Sequence, residues 1–257
     1  MMNKTTKEKL QEIIGAVDAK YQVDLRSILQ RSDDIGHKDV YMYLYLLAEE
    51  IFRLNADSDC CYNPDGALCS TDLEKLADNL NIEIICKKEL RSASKFKAGF
   101  RGYIDTYDLL PGGYTTTIYV NEKSGNLTQR YCIAKGISHC VISWIKYSKI
   151  LDWCFYELDL IKDTDEEITS ILTSFLLLRI ENVLEIYYKY KAKHEEAWDM
   201  FEFMRKINYN NSISDYHGVI CLQDIKYLVN VLYNYHGELQ IPLCEEIRSG
   251  KYKDLIK

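Results

Sequence analysis

Thr115-Thr116-Thr117-Ile118-Tyr119-Val120-Asn121, followed from Asn126 by a run of helical period that lasts to about Tyr147, decides the fold. The first stretch is β-branched and aromatic, the strongest strand signal in the chain. In the second, Leu127, Tyr131, Ala134, Val141 and Ile145 fall within a narrow arc at 100° per residue, which predicts one helix with an apolar stripe. A strand running into such a helix needs a sheet for the stripe to pack against.

Upstream, Asn81-Ile82-Glu83-Ile84-Ile85-Cys86 and Phe100 to Tyr107 read as two more strands, and Leu110-Pro111-Gly112-Gly113 as the turn before the third. Thr71-Asp72-Leu73-Glu74 matches a capping box and opens a short helix lined by Leu73, Leu76, Ala77 and Leu80. Residues 5–57 carry helical periodicity in Leu10, Ile13, Ile14 and Val17 and again from Tyr41 to Leu54, and Asp59 to Ser70 collects the turn formers. Asp165-Glu166-Glu167 suits the N-terminus of a further apolar helix through Ile171, Phe175 and Leu178. More helices are expected beyond residue 180, with a break near Asn208 to Ser214. The expectation is an α+β fold: a helical region over 1–64, a domain over 65–185 with a small sheet of about three strands packed on the long helix, and a helical region over 186–257.

Composition sets the class. Of 257 residues 47% are apolar, 28% are charged and only 3 are proline, which suits a globule with an ordinary core. The net charge of −7 argues against direct binding of nucleic acid through its phosphates. No apolar run approaches the ~20 residues of a membrane span, and Met1 to Lys9 has no signal-peptide core, so a cytoplasmic location is expected. Nine scattered cysteines, an odd number, then read as reduced thiols, with Cys86, Cys132, Cys140, Cys154 and Cys221 as small buried hydrophobes. The 21 tyrosines, clustered at Tyr187, Tyr188 and Tyr190 and at Tyr227, Tyr233 and Tyr235, exceed what a small core can hold with satisfied hydroxyls, which tilts the reading toward a binding protein.

The string Gln129-Arg130-Tyr131-Cys132-Ile133-Ala134-Lys135-Gly136-Ile137-Ser138-His139, preceded by the strand ending at Asn121 and by the helix and strand of residues 73–84, resembles the ImmA/IrrE zinc metallopeptidase family from about Thr71 to Leu178. In that family the helix carries His-Glu-x-x-His: two His at i and i+4 hold Zn²⁺ and the Glu acts as general base on bound water. Here those positions read Lys135, Gly136 and His139. An ammonium has no lone pair for a metal, and glycine cannot accept a proton. The resemblance places the third ligand at Glu166 or Glu167, which register does not separate. It therefore implies that the long helix is zincin-like and that the domain is a degenerate pseudopeptidase with no catalytic residue, no metal and no cofactor.

Two fates are open for Lys135: its ammonium replaces the metal beside Glu166 or Glu167 and His139, or its head snorkels to solvent. Other chemistry is weaker. Cys132 and Cys140 stand about 12 Å apart along a helix, too far for one ion. His194-Glu195-Glu196-Ala197-Trp198 lacks a second His, and the His139-Cys140 pair points to different helix faces.

Family members act on helix-turn-helix repressors beside mobile elements. The resemblance thus implies a regulator that binds another protein, such as a repressor or a defence effector, in a groove between strand 115–121 and helix 126–147. Ile118, Val120, Asn121 and Arg130 are its candidate residues, by edge-strand pairing. Two rival readings are an active zinc endopeptidase with compensating ligands and an acidic inhibitor of a nucleic-acid-binding defence machine.

Overall fold

The computed structural model describes residues 5–31, 38–55, 72–87, 100–109, 113–151, 153–156, 164–177, 226–234 and 242–252, together with residues 179, 180, 184 and 192. The fold is α+β. Helices α1 (Thr6–Tyr21), α2 (Leu25–Gln30), α3 (Lys38–Leu54) and α4 (Leu73–Asn79) precede strands β1 (Ile82–Lys87), β2 (Phe100–Leu109) and β3 (Gly113–Asn121). Then come α5 (Asn126–Tyr147), β4 (Trp153–Tyr156) and α6 (Thr164–Leu177), and near the C-terminus α7 (Pro242–Arg248). No described helix is long and apolar enough to cross a membrane.

Local chemistry accounts for the ends. Thr5 closes a capping box on α1: its hydroxyl accepts from the Glu8 amide and its own amide donates to Glu8 Oε2 at 2.7 Å. The cap of α4 is Asp72, not the Thr71 box expected; its carboxylate accepts from the Lys75 amide at 3.0 Å. A carboxylate satisfies that amide and also favours the positive end of the helix. In α6 the buried hydroxyls that interrupt the apolar run are paired inside the helix, Thr173 to the Thr169 carbonyl at 2.7 Å and Ser174 to Ser170 at 3.1 Å.

The sheet has four strands in the order β1-β3-β2-β4, which corrects the expected three. The added strand, Trp153-Cys154-Phe155-Tyr156, is a four-residue apolar run with no alternation, so its period is unreadable in sequence. It is made a strand by β2, with which it pairs antiparallel from Ile104↔Trp153 to Phe100↔Tyr156. β3 lies inside the sheet, parallel to β1 and antiparallel to β2, with Ile84, Ile118 and Ile104 in one row. On the face opposite α5, the Thr117 hydroxyl donates to its cross-strand partner Glu83 at 3.1 Å.

One hydrophobic cluster joins the seven helices to β1, β2 and β3. It takes Leu10, Ile13 and Val17 from α1, Leu44 and Ile51 from α3, Ile118 from β3, Val141 and Ile145 from α5, Phe175 from α6, and Leu243 and Ile247 from α7. The N-terminal helices are thus built into the core that supports α5. The last turn of α5 shows this directly: Arg26 and Gln30 of α2 donate to the carbonyls of Ile145 at 2.9 Å and Lys146 at 2.8 Å, satisfying acceptors that the helix leaves free.

Candidate functional site

Helix α5 begins after a turn held by a residue the sequence reading quoted but did not single out. Gly125, the N-cap, has no side chain to offer, and Gln129 reaches back instead. Its amide donates to the carbonyls of Ser124 at 2.9 Å, Glu122 at 3.2 Å and Asn121 at 3.3 Å. Asn121 in turn accepts from the Lys123 amide at 2.9 Å. Gln129 and Asn121 thus fix the angle at which α5 leaves the sheet. A long amide four residues after a glycine N-cap is the only sequence signal for this role.

That angle brings Gly136 onto β3. A Cβ there would lie 2.7, 3.0 and 3.1 Å from three side-chain carbons of Ile118, which is itself fully buried. The space a general-base side chain needs at this position is occupied by the strand. Gly136→Ala therefore destabilises the fold by about 1–2 kcal/mol, because overpacking outweighs the ~1 kcal/mol gained in helix propensity. In urea titrations the loss shrinks when Ile118→Ala is present in the same chain.

Lys135 lies one residue before this contact and is 1% exposed, which overturns the snorkelling alternative. Its ammonium forms an ion pair with Glu166 in the first turn of α6, whose carboxylate is also buried. The ring of Tyr131, one turn earlier on α5, lies 5.8 Å from the ammonium. Of the two acids, Glu166 is the one that meets Lys135, and Glu167 is half-buried beside it. The adjacent Asp165 is engaged by Lys146 and by the Tyr147 hydroxyl at the far end of α5, so the first turn of α6 is fastened to α5 at two points.

His139 follows Lys135 by four residues and is 7% exposed. Its Nε2 lies 3.2 Å from the Leu151 carbonyl and 3.1 Å from the Ser143 hydroxyl. A carbonyl only accepts, so Nε2 carries the hydrogen and donates it to the segment that leads into β4. Burial pushes the imidazole down to about 4; the Leu151 carbonyl and Asp165 oppose the shift and Lys135 adds to it. The ring is therefore neutral at pH 7 and serves as a tie between helix and backbone.

These residues do not fit a zinc ion. A metal would share its place with an ammonium, and Nε2 of His139 already carries a hydrogen toward the Leu151 carbonyl. Among the described residues no three His, Cys, Asp or Glu side chains stand together as ligands.

The groove assignment needs correction. Ile118 and Val120 are fully buried, and β3 has strand partners on both sides, so its edge is not open to a peptide. Asn121 and Arg130 are half-buried, and Asn121 serves the turn. Cys132 and Cys140 are buried as expected, and burial pushes the Cys140 thiol up, away from reactivity. Cys86, expected inside, is exposed: it lies near the end of the outer strand β1, where burial fades from Ile82 through Ile84. Tyr227 and Tyr233 are both partly exposed, and the Tyr41 ring packs against Tyr227 at a tilt of 51° with centroids 4.4 Å apart. Tyr187, Tyr188, Tyr190, Tyr235, His194 and Cys221 lie outside the described residues.

No protein-family model, no curated protein and no solved structure matches the chain. The ImmA/IrrE resemblance rests on the motif and the order of elements alone.

Proposed function

We propose that this protein is a non-catalytic pseudopeptidase: a relative in design of the ImmA/IrrE metallopeptidases that has exchanged the metal for an internal lysine and acts as a protein-binding regulator. One observation carries the reading. Lys135, which the resemblance sets at the first metal ligand, spends its charge inside the protein on Glu166, one of the two acids it offers for the third. A buried ion pair of this kind satisfies a carboxylate that would otherwise need a cation. Gly136 against Ile118 supports it, because the pocket for a general base is filled.

The partner is a polypeptide, such as a helix-turn-helix repressor or a protein of a mobile-element process, and it binds on a surface other than the β3 edge. The test is threefold. Purified protein carries no stoichiometric zinc by elemental analysis, neither casein nor a repressor is cleaved in a chelator-sensitive way, and a pull-down returns a discrete protein. Stoichiometric zinc lost on His139→Ala, or cleavage abolished by a chelator, overturns the reading.

A further inference from the structure

The junction of α5 and α6 encloses an entire lysine side chain, stem and head. Lys135 is 1% exposed, its ammonium meets a Glu166 side chain that is 7% exposed, and the Tyr131 ring lies 5.8 Å away. An anionic acceptor, an aromatic ring near the cation and an enclosed sleeve for an alkyl stem are the three parts of a receptor for a primary ammonium ion. A quaternary ammonium has no N–H to donate to the carboxylate. A bare metal ion would leave the sleeve unfilled.

We propose that this junction is a preformed binding site for short primary alkylammonium ions, occupied in the native chain by Lys135 itself. The ligand class follows from atom counting. Lys135→Ala removes Cγ, Cδ, Cε and Nζ, which together are the heavy atoms of n-propylammonium. The site depends on the acid of α6 and on the backbone that holds it, so it persists when the lysine is shortened. The inference rests on the ion pair and the enclosure, and is independent of whether the protein has peptidase activity.

The experiment is thermal unfolding of the full-length chain carrying Lys135→Ala, in n-propylammonium chloride and in sodium chloride of equal ionic strength. Its unfolding midpoint rises by about 3–6 °C at about ten times the dissociation constant, while the unsubstituted protein does not respond. Tetramethylammonium gives no such rise, and neither does n-propylammonium with Lys135→Ala/Glu166→Gln. If Lys135→Ala does not fold unaided, refolding from urea provides the readout, with folded protein recovered in n-propylammonium and not in sodium. No rise and no recovery, an equal effect of tetramethylammonium, or an equal effect in the double variant each overturns the proposal. Failure here with zinc and protease assays negative leaves the pseudopeptidase reading standing. Bound zinc with successful rescue does the reverse.

Discussion

Lys135→Met costs about 4 kcal/mol of folding stability, and adding Glu166→Leu in the same chain returns most of it. The first substitution keeps the length of the stem and removes only the charge and its donors, so packing changes little. What is left is a carboxylate enclosed between two helices without the ammonium that faces it, and such a group must be protonated or must draw water into the core. The second substitution takes that group away. Attraction within the pair is offset by the cost of drying two ions, so an apolar replacement of both is close to neutral, whereas loss of one partner exposes the full desolvation penalty. Since a domain is stable by only about 5–15 kcal/mol, the single variant loses a large share of its stability. Urea-induced unfolding of the four members of this cycle measures the coupling. A loss below about 0.5 kcal/mol for Lys135→Met would show that the ammonium does not neutralise Glu166.

Acidification is expected to weaken the protein through His139, by up to about 3 kcal/mol between pH 6.5 and pH 4. The folded imidazole titrates at about 4, below the ordinary value of 6.5, chiefly because it is buried. The unfolded chain therefore binds the proton more readily than the native one. Stability from this group is complete above pH 6.5, declines as the pH falls from there, and reaches its floor below about 4. His139→Gln retains a side-chain N–H for the Leu151 carbonyl and cannot titrate, so its stability falls less steeply over the same window. The measurement is the difference between the two proteins in denaturant midpoints at a series of pH values. It cancels the contribution of every other acid and base, and parallel curves would refute the assignment.

The two variants probe neighbouring groups of different kinds. Lys135 is a cation paired with Glu166, while His139 is a base that stays neutral because nothing near it compensates burial fully. One turn of α5 separates them.

Much of this site is legible in the chain because it depends on chemistry carried by single residues. That Lys135 has no lone pair and that Gly136 has no acid are facts of identity, true in any fold. The helical period from Asn126 to Tyr147 and the β-branched run Thr115–Asn121 are local signals, and both elements formed where those signals lie. β4 and the placement of β3 were not legible, for a common reason: pairing is decided by which strands meet, and Trp153–Tyr156 has too few residues to show a period. An open edge at β3 was expected from the resemblance, yet the sheet order puts β1 and β2 on its two sides. The role of Gln129 also escaped, since its three acceptors are backbone carbonyls that every sequence possesses.

By itself the sequence determined what α5 lacks: a metal-binding nitrogen at position 135 and a proton acceptor at 136, because side-chain chemistry travels with the residue. Tertiary structure alone decided what those residues contact. Whether Lys135 reached water or Glu166, and whether Gly136 was an empty place or a close contact with Ile118, depended on how α6 and β3 stand against α5. That is set by packing across the whole core, because burial and ion pairing arise between elements far apart in the chain.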